Sequence, residues 1–224
     1  MWLRQKSFLR KEHAMSKLAF IFPGQGAQKA GMGKDFYDNS EAARSFFDNA
    51  QKILDFDLKE MCFGEHEELN LTEYTQPCMV SVCLAIVQEL KKRGINPDIT
   101  AGLSLGEYAA VAAAGGMNEL DAIKLVRRRG ILMQSTVPAG EGAMAAVLGL
   151  DAKKIEEILE SFENVWIANY NCPGQIVITG LTNEVQQASL ALKEAGAKRV
   201  VELKVSGPFH SLLLKPAGEA LLKE

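Results

Sequence analysis

Residues 101–110 read "AGLSLGEYAA". A short apolar run leads into them from Ile99, Ser104 stands between Gly102 and Gly106, and an alanine-rich stretch follows. Strand, tight turn and helix in that order form the strand–turn–helix unit of an α/β protein. Small neighbours there let a serine sit on a sharp bend with its hydroxyl presented. The same residues also suit a serine that merely caps a helix. With 19 glycines in 224 residues, G-x-S-x-G arises readily by chance, so its surroundings must decide.

Upstream, Leu18–Phe22 ("LAFIF") is a continuous apolar run stopped by Pro23-Gly24, the pattern of a buried strand. Helical periodicity follows over Ser40–Leu54 and Gln76–Gly94, the latter closing on "KKRG", cations before a glycine. Ile99–Leu103 reads as a second strand, and Ser104 opens a helix running to Gly115-Gly116. Asn118 caps a further helix reaching Ser135. Alternating strands and helices predict a parallel sheet covered on both faces.

From Gly140 the texture changes. Ala143–Leu150 predicts a strand, Asp151–Phe162 a helix, Val165–Asn171 and Gln175–Thr179 paired strands, Thr182–Ala195 a helix and Arg199–Val205 a strand. The order β-α-β-β-α-β is that of a ferredoxin-like unit. The predicted organisation is an extension over 1–14, a large α/β body over 15–139 and 206–224, and the ferredoxin-like subdomain over 140–205. Residue 224 falls inside a helical pattern, so the body reads as incomplete at its C-terminus.

Composition narrows the function classes. Apolar residues make up 47%, charged residues 24%, and the net charge is −3, which suits a soluble globular domain and implies no polyanionic partner. The densest basic run, Arg127-Arg128-Arg129, lies within a helical pattern, so nucleic-acid binding is not expected. No uncharged apolar run reaches about 18 residues, the length needed to span a bilayer, and residues 1–14 lack the apolar core of a signal peptide. Cys62, Cys78, Cys83 and Cys172 make no C-x-x-C pair and read as small core residues in a reducing cytoplasm. Neither a metal nor a redox cofactor is expected.

A serine nucleophile needs a base, and the chain has three histidines. His13 lies in the extension and His66 in the charged stretch "GEHEEL". His210, in "KVSGPFHS", follows a strand, where open α/β sheets place their chemistry. Elimination favours His210 as base; a purely structural histidine is the alternative. The glycine loop "FPGQGAQ" after the first strand matches neither G-x-G-x-x-G nor the phosphate loop with G-K-[ST]. It can bring the backbone N–H of Gln25 to the sheet edge as an oxyanion donor, alongside that of Leu105. On the second long helix, Arg129 has Leu125, Val126, Leu132 and Met133 as its helical neighbours, and alone of the three arginines it falls fully on the apolar stripe. An inward guanidinium needs an anion, either an internal carboxylate or one carried by a substrate.

Four stretches, "FPGQGAQ", "GLSLGEY", "RRRGILMQ" and "VSGPFHS", in this order and spacing resemble the malonyl-coenzyme A:acyl carrier protein transacylases of bacterial fatty-acid synthesis. "TEYTQPCM", "VPAGEGAMAAVLGL" and "NYNCPGQIVITG" extend the resemblance from Lys17 to the chain end. It implies an α/β-hydrolase-like body with a ferredoxin-like insertion. The implied roles are Ser104 as nucleophile, His210 as general base and acid, Gln25 and Leu105 as oxyanion donors, Arg129 as binder of the malonyl carboxylate, and Asn171 in a stretch lining the cleft. It also implies a monomeric cytoplasmic enzyme whose partners are malonyl-coenzyme A and the phosphopantetheine arm of acyl carrier protein. Leu103 departs from the family's usual histidine beside the nucleophile. Family members also continue beyond the position of Glu224, with a glutamine whose carbonyl orients the histidine. The competing readings are a polyketide-type acyltransferase with another extender unit, a serine thioesterase or hydrolase, and an inactive fragment that binds the carrier.

Overall fold

The computed structural model describes residues 17–138, 140–203, 205 and 207–224; the expected extension over 1–14 lies outside them. The chain divides into two compact units, one formed by residues up to 69 and 75–126, the other by residues 70–74 and 127–224.

In the first unit, strand β1 (Ala19–Phe22) pairs in parallel with β2 (Ile99–Gly102), Phe22 opposite Gly102. Between them run the helices α1 (Lys34–Asn39), α2 (Glu41–Gln51), α3 (Leu58–Phe63) and α4 (Thr72–Lys92), then α5 (Gly106–Ala113) and α6 (Glu119–Thr136) follow β2; α4 up to Tyr74 and α6 from Arg127 on belong to the second unit. Ser40 caps α2 by accepting from the Ala43 N–H, and its hydroxyl donates to Glu89 on α4. Asn118 caps α6 through its side-chain oxygen, as expected, accepting from Leu120 and Asp121. Phe46, Phe47, Ala50, Leu84 and Val87 pack with Ala109, Ala112 and Ile123 into the core. Among the described residues the expected covering of both sheet faces is not observed: Ile21 is 79% exposed and borders an apolar cleft of about 410 Å³ between β1 and α4. In that cleft, burial pushes the Cys83 thiol up to about 11, so it stays protonated.

Helix α4 begins at Thr72 rather than Gln76. Pro77 lies inside it, where proline normally signals a boundary because it has no N–H. The helix from the serine begins later than expected, at Gly106, and leaves Ser104 in the turn. Helices α1 and α3 were not foreseen; six residues each are too few to carry a periodic pattern.

The second unit carries β3 (Gly142–Leu148), α7 (Ala152–Leu159), β4 (Val165–Cys172), β5 (Gln175–Leu181), α8 (Thr182–Glu194), β6 (Arg199–Glu202) and α9 (Lys215–Leu221). The four strands form one antiparallel sheet in the order β4-β5-β3-β6. Alternation along β3 and β5 builds two cores. Ala145, Val147, Ile176 and Ile178 face α7 and α8 with Ile155, Val185 and Leu192, while Met144, Ala146 and Val177 face Phe209. Cys172 is exposed, unlike the buried Cys62 and Cys78, so it is not a core residue. No described helix is long and apolar enough to cross a membrane.

Candidate active site

Ser104 sits on the turn between β2 and α5 with φ of 52°, a left-handed backbone in a residue that is not glycine. A capping serine would have extended backbone; a left-handed one belongs to a strained, sharp turn. Three glycines make the turn possible by close approach. A Cβ on Gly102 would fall 2.1 Å from the Gly106 carbonyl carbon, one on Gly106 would fall 2.3 Å from the Phe22 oxygen, and one on Gly24 would fall 2.8 Å from the Leu103 oxygen. The loop after β1 and the serine turn thus lie backbone to backbone, and the Leu103 N–H donates to the Phe22 carbonyl.

Helical hydrogen bonding begins with the N–H of Gly106, which reaches the Leu103 carbonyl, and that of Glu107, which reaches the Ser104 carbonyl. The N–H of Leu105 comes just ahead of these donors, at the positive end of the helix. Leu105 buries its side chain almost completely, which fixes its backbone. Gln25 is half-buried in the loop after β1, where the Gly26 N–H donates to the Gln28 side chain. Leu103 is 57% exposed beside the serine.

In the second unit, His210 also adopts left-handed backbone, φ 61°. Its neighbours hold it there. Phe209 is buried against Met144, Ala146 and Val177, Pro208 packs onto Gly142 so closely that a Cβ there would lie 2.3 Å away, and the Ser211 hydroxyl donates back to the Pro208 carbonyl. His210 and Arg129 line one cleft of about 180 Å³, with Met133, Leu214, Ala217, Gly218 and Leu221. His210 is exposed, yet the protein packed against it disfavours its charged form, and the Arg129 guanidinium adds like-charge repulsion. Both hold its pKa below the ordinary histidine value, leaving a neutral imidazole able to accept a proton at neutral pH.

Ser104, Leu105 and Gln25 thus belong to the first unit, and His210, Arg129 and Asn171 to the second. Asn171 is exposed on β4, where the pairing with β5 slips between Tyr170 and Cys172; such a bulge re-aims a side chain. It is not among the residues lining the cleft of Arg129 and His210. His66, expected to be solvated, is half-buried with its Nε2 3.0 Å from Glu60. Arg127 was not singled out, yet it too turns inward: its side chain is 13% exposed and pairs with Glu73 at 3.0 Å. Glu73 precedes it by 54 residues, beyond the reach of helical periodicity.

Residues 19–224 match the family described as "Acyl transferase domain". The malonyl CoA-acyl carrier protein transacylase of Bacillus subtilis (strain 168) is 50% identical over 212 residues, covering 92% of this chain and 67% of that protein. The chain belongs to the malonyl CoA-acyl carrier protein transacylase family. Among solved transacylases of this family, that of Clostridium perfringens superposes with a TM-score of 0.88 at 44% identity, covering 93% of this chain and 67% of that one. A malonyl-transacylase solved in complex with a type II polyketide acyl-carrier protein superposes equally well, TM-score 0.88 at 41% identity, with 92% and 68% covered. The chain spans about two thirds of the length of the transacylases it matches. Both the serine turn and the His210 cleft lie within the part shared with the family.

Proposed function

We infer that the chain transfers the malonyl group of malonyl-coenzyme A to the phosphopantetheine thiol of acyl carrier protein, feeding fatty-acid elongation. The observation that carries the assignment of residues is the guanidinium of Arg129 in the same cleft as the neutral imidazole of His210. A cation there suits an acyl group ending in a carboxylate, which the acyl group of a simple thioester lacks.

Ser104 Oγ attacks the thioester carbon as its proton passes to His210. The oxygen that gains charge is held by the backbone N–H groups of Leu105 and Gln25. Collapse breaks the carbon–sulfur bond, and coenzyme A leaves as a thiol with the proton that His210 returns. A malonyl ester remains on Ser104. The carrier thiol then loses its proton to His210, attacks the ester, and leaves with the malonyl group as Ser104 regains its proton. Arg129 holds the malonyl carboxylate throughout, so the acyl carbon meets Oγ in one orientation.

The fold that accompanies this reading is an α/β-hydrolase-like body over 15–139 and 206–224 with the ferredoxin-like βαββαβ unit over 140–205 inserted, acting as a cytoplasmic monomer. Asn171 carries least of the assignment, since it stands on an exposed bulge.

Steady-state rates with malonyl- and acetyl-coenzyme A test the assignment. Arg129→Ala is expected to lower kcat/KM for malonyl-coenzyme A by about a hundredfold, the loss of one charge-assisted pair, and to leave acetyl transfer unchanged or faster. An unchanged preference for malonyl would remove Arg129 from the site.

A further inference from the structure

Arg127 has no part in the reaction above, yet it is held more completely than a surface arginine needs. Its Nη1 donates both to the main-chain carbonyl of Glu73, at 2.8 Å, and to the Glu73 carboxylate, at 3.0 Å. The guanidinium lies 4.9 Å from the centroid of the Tyr74 ring. Helix geometry leaves that carbonyl for Arg127 to take, because Pro77, four residues on, has no N–H to give it. Gly130, three residues past Arg127 and on the same side of α6, completes the contact. A Cβ there would lie 2.7 Å from Glu73 Cα and 2.8 Å from the Thr72 carbonyl, so α6 and the first turn of α4 touch through their backbones.

Arg129 lies roughly 160° around the helix from Arg127, on the face that lines the His210 cleft with Met133. A helix clasped on one side by a charged pair, a ring and a backbone contact has its roll and its axial position fixed. Those two quantities decide where a side chain on another face ends. We propose that Arg127, acting through Glu73, is a positioning residue that sets the reach of Arg129 for the acyl carboxylate. The proposal rests on the reading of Arg129 as carboxylate binder.

Arg127→Met in the full chain tests it, with thermal melting to establish folding. Acylation with malonyl- and acetyl-coenzyme A and an NMR titration of His210 are the two readouts. In the folded variant kcat/KM for malonyl-coenzyme A falls about tenfold while that for acetyl-coenzyme A changes less than about threefold. The His210 titration rises as the Arg129 charge withdraws from it. Arg127→Lys, which keeps the charge but concentrates it on one nitrogen, recovers part of both effects. A folded Arg127→Met variant with unchanged malonyl-to-acetyl ratio and unchanged His210 titration overturns the proposal. A His210 shift without loss of malonyl preference shows Arg129 displaced but not needed for the carboxylate; it overturns the reading of Arg129, and the proposal with it. If Arg127→Met does not fold, Glu73→Gln, which keeps the carbonyl and removes only the carboxylate, carries the same readouts with smaller shifts expected. Their absence overturns the proposal equally.

Discussion

Among the described residues, Ser104 and His210 are the non-glycine residues with left-handed φ, and each such residue costs about 1–2 kcal/mol. The strain at Ser104 separates from its chemistry in a pair of variants. Ser104→Ala and Ser104→Gly both lose acylation, but Ser104→Gly, free of the Cβ penalty, melts as the more stable by about 1 kcal/mol. For His210 the testable quantity is pH dependence. Partial burial first, and Arg129 second, hold its pKa below the ordinary value, so the base form persists to lower pH than in an unperturbed histidine. Removing the neighbouring charge in Arg129→Leu makes protonation easier, and both the NMR titration of His210 and the acid limb of kcat/KM move to higher pH. The folded state also resists protonation of this ring more than the unfolded state does, so stability from this group declines as pH falls through the unfolded value near 6.5 and is regained above it.

At the scale of elements, the serine turn is held by contacts that leave no room for a Cβ. Gly102→Ala places one 2.1 Å from the Gly106 backbone and is expected to cost at least about 3 kcal/mol, read as a loss of melting temperature. Gly115→Ala, at φ 82° but in open space, is expected to cost about 1 kcal/mol from the backbone alone. Asn171→Ala, on the exposed bulge of β4, is expected to change kcat/KM for acylation by less than about threefold. Local patterns made the elements around the site readable. Pro23-Gly24 marks the end of β1, the continuous apolar run in "GAMAAVLGL" marks β3, and Gly102-x-Ser104-x-Gly106 marks the turn. Where a signal was short or misleading, the reading failed. The six-residue α1 and α3 are too brief to show a period, and Pro77 masks the first turn of α4, whose freed carbonyl is taken by a side chain 54 residues away.

On the scale of the whole molecule, the order of elements carried more of the fold than any one of them. The order β-α-β-β-α-β leads to a sheet ordered β4-β5-β3-β6 because hairpin and crossover rules leave few other arrangements. The first unit was less legible. Its strands read as buried on both faces, and apolar runs such as "LAFIF" cannot distinguish full burial from an apolar face bordering an open cleft. Of the candidate site, the loop positions of Ser104 after β2 and of His210 beyond β6 were legible, but the side-chain contacts of Arg127 were not. The account as a whole turns on a covalent malonyl ester at Ser104. Intact-chain and peptide mass spectrometry after incubation with malonyl-coenzyme A, followed by addition of holo acyl carrier protein, tests it most directly. The predicted result is one malonyl group on the Ser104 peptide, absent in Ser104→Ala, stable in buffer and discharged to the carrier thiol. No adduct on Ser104, or an adduct that water removes as fast as the carrier does, would contradict it.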